Sequence, residues 1–190
     1  MKRTQIVCLH EGEKDSIDPI FVNAFLKKLN PTWLRPWAKS KVKLIPCTDK
    51  TTMLKHYFPV ELERCTKMGA DTTLVVMTDL DDDCANGDIL RDKYRQIAEN
   101  AEIDEKLFAK VVFICPKYRI ENWIEYLNTG HTDENIKAPR TDNNSAKMAA
   151  IKLADMCQKN VDKNIGNADF PLSLKWSCNN WNEISRQLQK

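Results

Sequence analysis

The stretch Thr72–Asp83, TTLVVMTDLDDD, is the most decisive run in the chain. Its first half is continuously apolar and rich in β-branched residues. A strand without polar alternation is one buried on both faces, as the strands of parallel sheets are. The second half turns acidic at once, with Asp79, Asp81, Asp82 and Asp83. Gly87 follows, then a stretch that puts Leu90, Tyr94, Ile97, Ala98 and Ala101 on one helical face. Strand, acid-rich loop and helix in that order make the repeating unit of an α/β fold.

The same unit recurs on either side. Upstream, the short run Gln5 to Leu9 leads into the polar segment HEGEKD, and Asp18-Pro19 reads as an N-cap with proline at the first helical position. Ile20, Phe21, Ala24, Phe25 and Leu29 then recur at helical spacing. A second strand, Val42 to Ile45, ends at Pro46, and a helix from Thr51 to Met68 is expected to break or kink at Pro59 and stop at Gly69. Downstream, Lys110 to Cys115 is a fourth buried strand stopped by Pro116, and Ile120 to Leu127 a short helix. Residues 128–145 carry no periodicity and predict a long surface loop or lid. Ala146 to Gln158 and Trp176 to Leu188 read as helices.

The expected fold is therefore α/β: a Rossmann-like parallel sheet of about four strands flanked by helices with right-handed crossovers. Residues 1–160 form the α/β domain, and 161–190 a helical C-terminal extension packed on it.

At 190 residues the chain is long enough to bury one substantial core, and 42% hydrophobic against 29% charged residues marks it as globular. No apolar run approaches the length that a bilayer needs, and the N-terminus lacks a signal-peptide core, so a cytoplasmic location is expected. The seven cysteines include no CxxC pair and no Cys/His cluster, which argues against a zinc site.

The net charge of +2 conceals a segregation. Lys27 to Lys55 carries eight basic residues against one acid, Asp49, whereas Asp79 to Asp92 carries six aspartates against Arg91. That pattern predicts a basic surface beside an acidic pit.

In an open parallel sheet, functional groups gather at the carboxyl ends of the strands. Acidic residues fall there three times: Glu11, with Glu13 and Asp15, after the first strand; Asp79, Asp81 and Asp83 after the third; Glu121 after the fourth. Carboxylates crowded in a partly desolvated cleft repel one another, and a cation relieves the repulsion. An oxygen-only donor set favours Mg²⁺ or Mn²⁺. On an extended backbone Asp79 and Asp81 would face one ion together. Against this stands the ordinary reading, in which an aspartate-rich loop is solvated or caps a helix.

HEGEKD, TDLDDD and RIENWI, in that order after the first, third and fourth strands, resemble the Toprim domain. The likeness is greatest to its small stand-alone members and to the nuclease branch typified by the OLD (overcoming lysogenization defect) enzymes, and it covers roughly residues 4–160. It implies that Glu11 is the Toprim glutamate and Asp79 and Asp81 its aspartate pair. It further implies acidic positions at Asp15 and Glu121 that would help hold the metal, and a catalytic lysine at Lys147 in NNSAKMAAIKLA. Asp83, in the same acidic loop as Asp79 and Asp81, is a further expected ligand on the reading of the residues alone. The sequence departs from the family at His10, where an apolar residue is usual, and in having no small residue after Gly12.

The resemblance implies a Mg²⁺- or Mn²⁺-dependent nuclease, or a nuclease subunit beside a partner ATPase, in phage defence or DNA repair. No tyrosine is poised as a topoisomerase nucleophile, so hydrolysis is expected rather than strand passage. For substrate, Lys39, Lys41 and Lys43 would share one face of an extended strand, with Trp33 and Trp37 as stacking surfaces and Lys137 and Arg140 as additions. These suit nucleic acid, DNA ahead of RNA, while a solvated lysine edge and core tryptophans are the plainer account. Trp123, Trp176 and Trp181 read as core or homodimer-interface residues. Three other readings stay open: a Mn²⁺-dependent glycosyltransferase using its DxD, a non-catalytic Toprim-like module that binds nucleic acid or protein, and a haloacid-dehalogenase-like phosphatase, which would need an aspartate where Glu11 stands.

Overall fold

The structure is a computed structural model and describes residues 5–13, 16–29, 42–68, 72–159 and 170–188. Four strands, β1 (Gln5–Glu11), β2 (Val42–Cys47), β3 (Thr72–Met77) and β4 (Val112–Ile114), form one all-parallel sheet in the order β2-β1-β3-β4. Eight α-helical segments accompany them: α1 (Ile17–Leu29), α2 (Lys50–Thr52), α3 (Phe58–Met68), α4 (Gly87–Asn100), α5 (Glu105–Phe108), α6 (Ile120–Thr129), α7 (Asn143–Lys159) and α8 (Leu172–Leu188). The α/β parallel architecture read from the sequence is the one the chain adopts.

The two-residue alternation of a strand distributes the apolar side chains to two cores. Ile6, Cys8, Val75 and Met77 face one layer, where Phe21, Trp123, Leu153 and Trp181 fill the space between the sheet and helices α1, α6, α7 and α8. Val7, Leu9, Leu74 and Val76 face the other, packed on Met53, Phe58, Tyr94 and Phe108. Every residue of β3 is buried, as its unbroken apolar run predicted.

The break expected at Pro59 is present one turn earlier. Met53–Tyr57 is a π-helical turn between α2 and α3, and the Phe58 N–H reaches back to the carbonyl of Met53. A proline has no N–H for the residue four back, and its ring would strike that carbonyl; the widened turn moves the clash away.

Three local features differ from expectation. The short helix α5 was not anticipated, β4 is confined to three residues, and α8 begins at Leu172 rather than Trp176. β4 is an edge strand of the described sheet, and α8 covers it through Ser177 and Asn180: Asn180 Oδ1 accepts from the Phe113 N–H at 2.7 Å and Ser177 Oγ from the Cys115 N–H at 3.0 Å. Two side chains one turn apart thus take the bonds that a fifth strand would have taken, and the exposed edge is blunted.

The loop expected at 128–145 is shorter and well anchored. α6 continues to Thr129 and ends at Gly130 in the left-handed conformation (φ +83), and Asp142 caps α7 by accepting from the Asn144 and Ser145 N–H groups. Between them the chain is tied to Asn122, a fully buried residue of the RIENWI segment. Its amide donates to the carbonyls of Asp133 (3.1 Å) and Ile136 (2.7 Å) and accepts from the Ala138 N–H (3.4 Å).

All seven cysteines are free and buried. Burial pushes the Cys47 thiol up to about 11 and Cys65 to about 12 and raises Cys8 and Cys115 as well, while Cys178 is raised by its contact with Cys157 and then by burial. Since the thiolate is the reactive form, native protein at pH 8 should give Ellman's reagent almost no signal within minutes, and the full thiol count only after denaturation. Rapid modification of two or more thiols in the native state would contradict this packing.

Candidate active site

The order β2-β1-β3-β4 reverses direction between β1 and β3, and a parallel sheet opens a crevice at such a point beyond its carboxyl ends. Glu11, the last residue of β1, stands at that point. Its Oε1 accepts from the Thr78 hydroxyl and from the Asp79 N–H at 3.2 Å, so the end of β3 orients the carboxylate at the end of β1. Gly12 follows with φ +83, which turns the chain away.

Asp79 lies half-buried beside it. Burial, then the charges of Glu11, Asp18 and Asp81, push its carboxyl up to about 9, opposed by Lys50. Asp18, in the first turn of α1, is pushed up to about 6 by burial and by Glu121. Burial also raises Glu11, against the Thr78 bond and the charge of Lys50. Three carboxyl groups from β1, α1 and the β3 loop thus share one partly dry crevice. Beside it, a cleft of 460 Å³ is lined by Glu13, Ser16, Asp18, Glu121 and Arg140, among others.

Asp81 takes part differently from the sequence expectation. It is not on an extended backbone but has φ +52 at the start of a turn, so the alternation that would aim it with Asp79 does not operate. Its N–H donates to the Lys117 carbonyl at 2.7 Å, and its carboxylate is 3.6 Å from Lys50 Nζ. Its charge nevertheless acts on both Glu11 and Asp79.

The remaining expected residues separate. Glu121 reaches the group through Asp18, whereas Asp83 is exposed, with its carbonyl accepting from Lys93 Nζ at 3.2 Å. Lys147 is exposed on α7 and is not among the residues lining the Asp18–Glu121 cleft. Lys43 pairs with Val7 near the start of the strands and forms an ion pair with Glu61 at 3.5 Å. Four residues of strand, roughly 13 Å, separate it from the Glu11–Cys47 level, so it does not border the acidic crevice. Asp15, Lys39, Lys41, Trp33 and Trp37 lie outside the described residues.

The bases that do lie at the carboxyl ends are others. Lys50 Nζ donates to the Leu80 carbonyl at 3.1 Å, and Lys117 Nζ to the carbonyls of Asp81 (2.9 Å) and Cys84 (3.4 Å). Lys117 and Lys137 stand 5.5 and 5.7 Å from the Tyr118 ring, whose hydroxyl donates to Asp82 at 2.7 Å. Lys137 thus stands near the acidic loop and Arg140 lines the Asp18–Glu121 cleft, while Lys39 and Lys41, whose surface they are expected to extend, lie outside the described residues. His10 is buried, with Nδ1 3.1 Å from the Glu11 carbonyl and its pKa lowered by burial, which keeps the ring neutral.

Sequence reasoning missed Asp18, Thr78, Lys50 and Lys117. Asp18 is expected to be the cap of the first helix, but α1 begins one residue earlier, at Ile17, which puts Asp18 inside its first turn. Lys50 was one of eight bases in its segment, and only its place directly after the second strand marks it out.

No family model matches the chain, and neither a curated protein nor a solved structure matches it. The Toprim resemblance accordingly rests on its three motifs. Among the described residues, no helix is long and apolar enough to cross a membrane, and no three Asp, Glu, His or Cys side chains already converge as a metal cage.

The donor chemistry still fits a hard divalent cation. Glu11, Asp79 and Asp18 offer only oxygen, and the upward shifts of all three mean that their negative charges are under-compensated as they stand.

Proposed function

We propose that the protein is a Mg²⁺- or Mn²⁺-dependent phosphodiesterase that hydrolyses nucleic acid, or the nuclease subunit of an assembly. The observation that carries the reading is the Glu11 carboxylate held by Thr78 and the Asp79 N–H at the switch point, with the Asp79 and Asp18 carboxyls crowded against it. Glu11 and Asp79 would hold the cation, with Asp18, Asp81 and Glu121 adding charge from the cleft side. The cation would polarise the phosphate and acidify an attacking water.

The chain's own residues would do the rest. Thr78 fixes the Glu11 rotamer, and Lys50 draws the Asp81 carboxylate toward itself at 3.6 Å. Lys117, Lys137 and Arg140 line the approach with positive charge for phosphate oxygens. Lys147, on the exposed face of α7, would meet a substrate that extends beyond the cleft. By the Toprim resemblance, the setting is phage defence or DNA repair in the cytoplasm, with DNA as substrate and an ATPase as partner.

One observation favours a second reading. Lys50 already supplies a counter-charge to Asp81, and among the described residues no three ligands converge, which suits a non-catalytic module that binds nucleic acid.

Purified protein incubated with plasmid and single-stranded DNA plus Mg²⁺ or Mn²⁺ separates the two. The phosphodiesterase reading expects cleavage that falls about 100-fold or more in Glu11→Gln and Asp79→Ala. Equal cleavage by wild type and Asp79→Ala would mean a contaminating nuclease, and DNA binding without cleavage would leave the binding module.

A further inference from the structure

On the other side of the aspartate-rich loop lies a second cleft, of 560 Å³, within the range of small-molecule sites. Its walls come from the segment leading into α4, from Lys117 after β4, from the anchored loop at Glu134 and Asn135, and from the start of α8.

Its most distinctive wall is Trp176. The indole lies directly on Gly87, where a Cβ would come within 2.3 Å of the ring, and Nε1 donates to Asp88 at 3.0 Å. The ring is thus fixed in place while still bordering the cleft, which makes it a rigid stacking surface. Leu172, 78% exposed at the rim, is an apolar side chain with no burial of its own to explain it.

The polar groups complement that surface. Lys117 carries a fixed positive charge, since two loop carbonyls hold its Nζ. Glu134 accepts from the Ser173 hydroxyl and N–H at the start of α8, which holds its carboxylate against the helix end. Asn135 donates one amide hydrogen to Asp133, and its carbonyl oxygen is left as an acceptor; Asn86 accepts from the Ile89 N–H, which leaves its amide as a donor. A flat face, one cation and an amide donor and acceptor together match a nucleobase with an attached phosphate.

The cleft also adjoins the carboxylates. Leu80 lines it and sits between Asp79 and Asp81, and its carbonyl is bonded by Lys50.

We propose that this cleft is a nucleotide subsite: the base stacks on Trp176 and its phosphate faces Lys117. For its place along a strand the inference rests on the phosphodiesterase reading, because a nucleotide seated here would lead its neighbouring phosphate toward Asp79. A base in such a pocket is unpaired, so the site selects single-stranded or unstacked nucleic acid.

Calorimetric titration of the full chain with AMP in EDTA, with inorganic phosphate as the control, tests the subsite apart from hydrolysis. The expected result is saturable one-to-one AMP binding. It should weaken by about tenfold or more, the scale of one base stack, in Asn135→Trp, which fills the space the base would occupy over Trp176, and in Leu172→Glu, which sets a carboxylate at the rim against the phosphate. Asp79→Asn should bind AMP as wild type does. No saturation by about 10 mM AMP, phosphate binding as tight as AMP, unchanged affinity in Asn135→Trp, or loss of binding in Asp79→Asn would each overturn the subsite. AMP binding by a protein that does not cleave DNA would keep the subsite and remove the phosphodiesterase reading.

Discussion

Asp79→Asn should raise the melting temperature of the metal-free protein at pH 8 by roughly 5–10 °C, and by much less at pH 5. The carboxyl is pushed from its ordinary 3.8 up to about 9 by burial and by Glu11, Asp18 and Asp81. Between those two values the folded chain keeps a proton that the unfolded chain releases. The native state then binds more protons than the unfolded state, so stability falls as pH rises, by at most about 1.4 kcal/mol per pH unit for one group. Asp18, pushed up to about 6, adds to the slope only between 3.8 and 6. The protons belong to the cluster, so the wild-type curve should be one broad decline, which the Asn variant flattens. A chain of this size gains roughly 2–4 °C per kcal/mol. A wild-type melting temperature that rises from pH 5 to pH 8, or an Asn variant no more stable than wild type at pH 8, would remove the crowding on which the site rests. The variant should at the same time lose hydrolysis, which is the usual opposition between stability and a strained site.

The second large effect lies away from the carboxylates. Asn122→Ala should destabilise the protein by about 3–5 kcal/mol and lower its melting temperature by roughly 10 °C. The substitution leaves the carbonyls of Asp133 and Ile136 and the N–H of Ala138 without the partners that anchor them. Because Glu134 and Asn135 lie in the same segment, proteolysis should begin between residues 131 and 142 in this variant. A loss below about 1 kcal/mol would mean that the loop is held by other contacts, such as Arg119 Nη1 on the Ala138 carbonyl.

The sheet was legible because its determinants are local and periodic. TTLVVM is uncharged and without polar alternation, Pro116 marks where the fourth strand must end, and Leu90, Tyr94 and Ala98 recur at helical intervals. Pro46, expected to end the second strand, lies inside it instead: β2 runs on to Cys47 as an outer strand of the described sheet, where a proline can sit because no neighbour needs its N–H. What escaped was non-local. Asn180 and Ser177 gave no sign in the sequence that they would cover the edge of β4, because their partners are 67 and 62 residues away. Asn122 stood in a motif read for Glu121, its neighbour, although the asparagine is the fully buried member of the pair.

The site divides in the same way. Glu11 and Asp79 follow directly from strand ends in a parallel sheet, and the structure places the Asp79 N–H on the Glu11 carboxylate. Asp81 departs because its geometry was inferred from an extended backbone, whereas the chain turns at that residue with φ +52. Charge segregation was read correctly as a pattern and assigned to a different place. Lys43 is paired with Glu61 toward the start of the strands, and the bases beside the acidic residues are Lys50, Lys117, Lys137 and Arg140. Charge counted along a segment does not say which end of a strand each residue occupies.

The role proposed for the Glu11–Asp79 crevice is to hold a divalent cation. Calorimetric titration of wild type, Glu11→Gln and Asp79→Asn with Mn²⁺ at pH 7, repeated in buffers of different ionisation enthalpy, tests it most directly. Because Asp79 keeps a proton at pH 7, cation binding to wild type should release one, so the measured heat should depend on the buffer. Both variants should bind at least about tenfold more weakly, and Asp79→Asn should lose the proton release. Equal Mn²⁺ affinity in all three proteins, or wild-type binding whose heat is the same in every buffer, would contradict the account.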